Sequence, residues 1–126
     1  MSMKRPVSTT KKIETITKDR FFYVNSDYKT VQIRLDDILY VTGMKDYVNF
    51  YLEDGRVVNC LLNMKTLEDM LPKPEFMRVH RSHIVHMPKV TLIDRARFKF
   101  GDVFIPISET AKIAVQDYVE EHTIQS

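Results

Sequence analysis

Between Arg78 and Lys99, six cations (Arg78, Arg81, Lys89, Arg95, Arg97 and Lys99) stand against one acid, Asp94. His80, His83 and His86 fall in the same stretch. Cations at this density suit a polyanion, because each phosphate they neutralise releases condensed counterions and that release drives association. Arginine adds a planar fork that can bond the O6 and N7 of guanine. The competing reading is a solvated surface whose balancing acids lie nearby in the fold, since charged side chains are mostly exposed whatever they do. The histidines raise the question of a metal site, and their spacing argues against one. On an extended chain His80 and His86 point one way and His83 the other. No Cys pair or acidic cluster completes a ligand set. Catalysis finds no footing either. Gly43, Gly55 and Gly101 are isolated rather than gathered into a phosphate loop. A His-Arg-Ser run is not a triad, which converges from separate elements. The expectation is a binding domain, not an enzyme, with no cofactor and no metal.

Short strands must hold this segment. Phe21–Ser26 reads as a first strand, closed by Ser26-Asp27. In Lys29–Leu35 the residues Val31, Ile33 and Leu35 alternate with Thr30, Gln32 and Arg34. Ile38–Thr42 is more uniformly apolar, as a strand buried on both faces would be. Gly43-Met44-Lys45 reads as a loop. Asp46–Leu52 alternates again, with Val48, Phe50 and Leu52 inward and Tyr47, Asn49 and Tyr51 outward. An Asp54-Gly55 pair then signals a hairpin into Val57–Leu62. Asn63 is placed to cap a helix over Met64–Leu71, which Pro72 and Pro74 end. Phe76–Val79, Ile84–Met87, Lys89–Ile93, Arg97–Phe100 and Val103–Ile107 read as further strands. Ser108 would cap a last helix with Ala111, Val115, Tyr118 and Val119 along one stripe. The fold class expected is mainly β, with one short internal helix and a C-terminal helix. A domain of this kind has few helices to lay in a groove, so loops or ribbons must do any nucleic-acid reading.

Composition sets the bounds. With 126 residues, 44% hydrophobic and 29% charged, the chain suits one domain with a real core. Trp is absent, and seven Phe and six Tyr supply the aromatic bulk. The formal net charge is only +2, which hides the basic segment, while Glu53 to Glu75 is acidic on balance. The single Cys60 excludes an internal disulfide and reads as a small core residue in a reducing, cytoplasmic setting. Residues 1–20 are polar, with Pro6 and several Lys. They lack the apolar stretch of a signal peptide and read as a linker or tail to an upstream domain. The expected organisation is therefore 1–20 linker, 21–122 binding domain and 123–126 tail. No run of residues reaches the length of a membrane span.

The run Phe76-Met77-Arg78-Val79-His80-Arg81-Ser82-His83-Ile84-Val85-His86 resembles the hallmark F-x-R-V-H-R-S-x-I-V-N of the LytTR family, with His86 where Asn is usual. Leu35-Asp36-Asp37-Ile38-Leu39-Tyr40-Val41 is similar to the family's D-I-L-Y-I/V strand. Lys45-Asp46-Tyr47-Val48 resembles its K/G-D-Y-V turn, and Met64 to Leu71 followed by Pro72 its L-E-x-L-P helix. Ile105-Pro106-Ile107-Ser108 resembles its I-P-I-S entry to the last helix. These blocks keep the family's order over about residues 21–120. The resemblance implies an elongated β fold whose loops enter successive major grooves of promoter direct repeats. It also implies an upstream receiver domain, a sensor histidine kinase and pairing of domains on DNA.

Carried over by motif, the resemblance places DNA contacts at Lys45, Asp46 and Tyr47, at Arg81 and Ser82, and at Glu109. Arg81 is the foremost of them, and an exposed Arg in an ion pair is its plain alternative. Arg78 would sit beside a phosphate or pair with an acid of the linker. His83, two residues beyond Arg81, would share its face on a strand. His80 reads as structural, bonding backbone carbonyls at a turn. Glu109 stands where many relatives carry Arg. It could accept from cytosine N4, or simply favour the start of a helix through the macrodipole. Lys112, one turn on, would then supply the missing cation. The alternative function is a β-rich interaction module that binds a protein or a small anion through the same basic strip.

Overall fold

The computed structural model describes residues 8–125. Its strands are β1 (Phe21–Ser26), β2 (Lys29–Arg34), β3 (Ile38–Met44), β4 (Tyr47–Leu52), β5 (Val57–Leu61), β6 (Phe76–His80), β7 (His83–His86), β8 (Leu92–Ile93), β9 (Arg97–Phe100) and β10 (Val103–Pro106). The helices are α1 (Thr9–Asp19), α2 (Met64–Met70) and α3 (Lys112–Glu121). The strands form a central antiparallel sheet ordered β5-β4-β3-β7-β6, a hairpin of β1 and β2, and a small sheet ordered β10-β9-β8. The mainly β class is as the alternation of apolar residues requires.

The central sheet is covered on both faces, so it has two cores. On one face Ile38, Val41, Val48, Phe50, Val58, Cys60 and Ile84 meet α2 through Met64 and Leu67, the hairpin through Val24 and Ile33, and the 3-10 turn that follows it through Leu35. On the other, Tyr40, Val79 and Val85 meet Phe98 and Ile105 of the small sheet, together with Ala111 and Val115 at the last helix. The double burial expected of Ile38–Thr42 follows from this arrangement. Tyr51 does not point to water as its place in the alternation suggested. It stacks on Tyr40 with ring centroids 4.5 Å apart, because the second sheet covers that end of the face. Fully burying side chains such as Phe50 or Ile33 stabilises the fold by about 2 kcal/mol each.

The N-terminal segment differs from the expected linker. Residues 9–19 form α1, a third helix that composition did not reveal. Ser8 caps it by accepting from the Lys11 amide, and Arg20 ends it in the left-handed region at φ 68°. Its apolar contribution is small, with Ile16 packed against the first core. Its apolar side is only Ile13 and Ile16, both half-buried, in an otherwise polar stretch whose composition reads as a linker. Docking comes instead from Arg20, whose guanidinium binds both carboxylate oxygens of Glu75 at 2.8 and 2.7 Å and Asp36 at 2.6 Å. Residues 1–7 of the expected linker, and Ser126 of the expected tail, lie outside the described residues.

Two local differences concern turns. Gly43 and Met44 belong to β3, and the loop is the pair Lys45-Asp46, across which Met44 faces Tyr47. The stretch Lys89–Ile93 is only briefly extended: Pro88 sits in a 3-10 turn at Met87–Lys89, which leaves β8 two residues. At the far end Ser108 precedes a 3-10 turn, Glu109–Ala111, before α3. Its hydroxyl does not cap the helix but meets Thr110 Oγ1 at 3.2 Å.

Gly43 is required by a close approach. A Cβ there would overlap Cγ and Sδ of the buried Met64, the first residue of α2. Gly43→Ala is therefore expected to lower stability by about 1–3 kcal/mol, read in a urea titration, as overpacking of a filled core does. An unchanged midpoint would mean that Met64 is free to move aside.

Candidate nucleic-acid interface

Two hairpin turns end side by side at one edge of the central sheet. The β3–β4 turn is Lys45-Asp46, with Lys45 held in the left-handed region at φ 50°. The β6–β7 turn is Arg81-Ser82, between the paired His80 and His83. β3 and β7 are neighbours, with Thr42 opposite His83. The Gly43 amide donates to the Ser82 carbonyl at 2.9 Å, which locks one turn to the other. A third element joins them. Leu61 pairs with Tyr47, and the Leu62 amide donates to the Asp46 carbonyl at 2.8 Å, so α2 must begin beside the first turn. Asn63 caps α2 by accepting from the Thr66 amide at 2.8 Å.

These elements enclose an open groove of about 970 Å³ lined by Lys45, Asp46, Tyr47, Arg78, Arg81 and Ser82, together with Asn63, Lys65 and Thr66. Six of the residues expected from the sequence thus share one site. Lys65 and Thr66 were missed. The signal that locates them is the hairpin itself: a strand pairing back along β4 must deliver its successor to the start of β4.

The cations differ in freedom. Lys45 and Arg81 are exposed, and neither enters an ion pair among the described residues. Lys65 makes a 3.3 Å contact with Asp69 on the same helix. Arg78 is half-buried. It binds Glu68 of α2 at 3.2 Å and donates to the Arg81 carbonyl at 2.7 Å, so it braces the turn that carries Arg81. Its acid partner comes from α2 and not from the linker.

The histidines sit otherwise than an extended chain would place them, because the turn folds His80 back onto His83. Their rings meet edge to face at 5.4 Å. His80 is structural, but it accepts rather than donates: Nδ1 takes the Ser82 amide at 3.2 Å. Burial first, then the neighbouring His80, pushes the His83 ring below its ordinary pKa of 6.5. The neutral form is favoured, so His83 brings a hydrogen-bonding ring and no charge to this edge. His86 is 2% exposed and lies away from the groove. Nδ1 faces the Ile38 carbonyl at 2.7 Å and Nε2 faces Glu75 Oε2 at 2.6 Å, while the ring stacks on Phe76 at 4.2 Å. A carbonyl can only accept, so Nδ1 is the donor to Ile38. Among the described residues no group of three or more His, Cys, Asp or Glu is arranged to hold a metal.

Glu75 is thereby the hub joining α1, β7 and the sheet. The Arg20 hydrogen bonds, and secondarily the one from His86, hold its carboxyl below the ordinary 4.5 despite burial. The Arg20 guanidinium likewise lowers Asp36. A depressed folded value contributes stability that is complete above the unfolded value and vanishes as pH falls through the folded one. The melting temperature is therefore expected to decline modestly from pH 7 to about 5, where the unfolded chain takes up a proton that the buried His83 ring resists, and to fall further below about pH 4.5 as the carboxylates are protonated. Glu75→Gln should flatten that acid limb. A limb of undiminished steepness in the variant would remove Glu75 from its cause.

The start of the last helix lies beside β6, since the Ser108 amide donates to the Val79 carbonyl at 2.8 Å. Glu109 is exposed there. Lys112, expected to replace a missing cation, is neutralised by Glu109 at 2.7 Å. It lines a different groove with Ile93, Ile107 and Val115. The structure does not bring Glu109 or Lys112 into the groove of the two turns.

A sequence profile of the family described as LytTr DNA-binding domain matches residues 28–119. No curated protein gives a match. Among solved structures, one is the LytTr DNA-binding domain of a protein from Bacillus cereus described as a methyl-accepting/DNA response regulator. It superposes with a TM-score of 0.65 at 16% identity, covering 79% of this chain and 96% of that one. At that identity the likeness speaks for the fold.

Proposed function

Because this chain belongs to the LytTR DNA-binding domain family, we propose that it binds double-stranded DNA sequence-specifically, as the transcription-regulating output domain of a two-component response regulator. One observation carries the reading: the two locked turns bring the unpaired cations Lys45 and Arg81 to one groove edge. The turns are two strand spacings apart in the order β4-β3-β7-β6, roughly 10 Å. That separation suits a major groove about 12 Å wide. Lys45 and Lys65 would hold phosphates as point charges, Arg78 would fix the turn, and Arg81 would read a guanine edge. Glu109, at the separate start of the last helix, would address the adjoining groove by accepting from cytosine N4. A rigid turn suits this work, because a contact held in place loses less entropy on binding.

In this reading a receiver domain precedes the unit, a sensor kinase phosphorylates it, and paired domains on direct repeats gain avidity. The cell compartment is the cytoplasm. Among the described residues no helix is long and apolar enough to cross a membrane.

The test is a mobility-shift titration on a duplex selected in vitro from a random pool. Neutralising the two phosphates at Lys45 and Lys65 should cost roughly 10-fold in affinity between about 50 and about 200 mM salt. Binding that ignores both sequence and salt would favour the interaction-module reading instead.

A further inference from the structure

The face of the central sheet that carries Tyr40 and Tyr51 changes character along its length. At one end Tyr40, Tyr51 and Val85 lie under the second sheet. The next cross-strand row is polar: Thr42, Asn49, Asn59 and His83 stand opposite one another. Asn59 donates to Asn49 at 2.8 Å within it. A sheet running out into water would be expected to stay polar. The last row is instead Met44, Tyr47 and Leu61, paired across β3, β4 and β5 and exposed at 75%, 47% and 68%. Met44 and Tyr47 also line the groove of the two turns, beside the turn cation Lys45 and, across the locked turns, Arg81.

An apolar row set among unpaired cations calls for a partner that is anionic yet offers apolar groups in the same place. Duplex DNA offers such a group in the major groove, the 5-methyl of thymine. We infer that Met44, Tyr47 and Leu61 form an apolar rim that packs against thymine methyl groups beside the phosphate held by Lys45. This rests on the DNA-binding reading above and gives it a base preference. It makes the turn edge a reader of T-containing steps, complementary to guanine recognition by Arg81.

The experiment uses the in vitro selected duplex with each thymine replaced in turn by deoxyuridine, which removes the methyl and nothing else. For the unaltered protein, replacement at one or two thymines should weaken binding about fourfold each, the effect of exposing one methyl-sized apolar group. Met44→Ala and Leu61→Ala change exposed side chains and should leave the fold intact. Each should bind the thymine duplex more weakly and lose the discrimination at its own position. If no thymine matters to the unaltered protein, or if both variants discriminate as before, the inference is overturned. It is also overturned if the variants alter cooperative loading of tandem sites while discrimination persists, for the rim then contacts a second copy. Absence of tight binding to any selected duplex counts against the DNA-binding reading itself.

Discussion

Arg81→Ala should lower affinity for the selected duplex about 30-fold while leaving the melting temperature unchanged. The two halves of this expectation have separate causes. The side chain is exposed and unpaired, so its loss costs the fold little. The brace on its turn is the Arg78 bond to the Arg81 carbonyl, a backbone group that alanine keeps. A fork bonded to guanine is worth about 1–3 kcal/mol, and the middle of that range gives the quoted factor. If Arg81 holds a phosphate instead, the loss would be uniform across sequences and the salt slope would fall by about 1. Arg81→Lys distinguishes these outcomes. It keeps the charge and discards the fork, so it should restore phosphate binding but not discrimination at the guanine. Full affinity in Arg81→Ala would remove the β6–β7 turn from the interface.

The opposite pattern is expected at His86. His86→Ala removes a ring stacked on Phe76 and leaves the Ile38 carbonyl without its side-chain donor, while Glu75 Oε2 keeps only Arg20. A buried cavity and a stranded acceptor together should cost about 3 kcal/mol, lowering the melting temperature by about 12 °C. DNA affinity measured well below melting should not change. His86→Asn, the residue usual in the family motif, should be milder. Its amide can donate to one of the two acceptors, and Glu75 keeps Arg20. Circular dichroism melts of the two variants check both statements. Equal stability of alanine and histidine here would mean that the hub contributes nothing.

Alternation and turn chemistry made most of the strands legible. Val48, Phe50 and Leu52 are buried as their spacing requires, and the Asp54-Gly55 hairpin stands where that pair indicated. What alternation cannot reveal is a second layer. Tyr51 lies on the outward half of β4 and becomes core only because β9, distant in sequence, places Phe100 over Tyr40. Helix α1 escaped notice for a related reason. Its hold on the domain is a long-range ion pair from Arg20 beside a two-isoleucine apolar side too short to stand out in the sequence. The histidine spacing misled because a turn between His80 and His83 reverses the face on which each residue falls. In the candidate site, motif order located Lys45 and Arg81, but only the strand pairing shows that they share an edge and that Lys65 joins them. Charge counting would also have left Lys112 as a free cation, whereas Glu109, one turn earlier, neutralises it.

The arrangement implies a division of labour within one short motif. In the run from Arg78 to His86, Arg81 alone projects a free charge. Arg78 and His80 shape the turn, His83 stays neutral against the sheet, and His86 fastens the underside to α1 through Glu75. Substitutions at the buried members should appear as lost stability, and at Arg81 as lost binding. The two phenotypes separate in one pair of assays.

The most direct measurement is a backbone amide NMR titration of the folded domain with the selected duplex. The largest shifts should fall at Gly43–Tyr47, at Lys65 and Thr66, and at Arg81–His83, with Asp117–Glu121 on the last helix unmoved. Shifts confined to that helix or to the small sheet, with both turns silent, would contradict a DNA interface built on the paired turns.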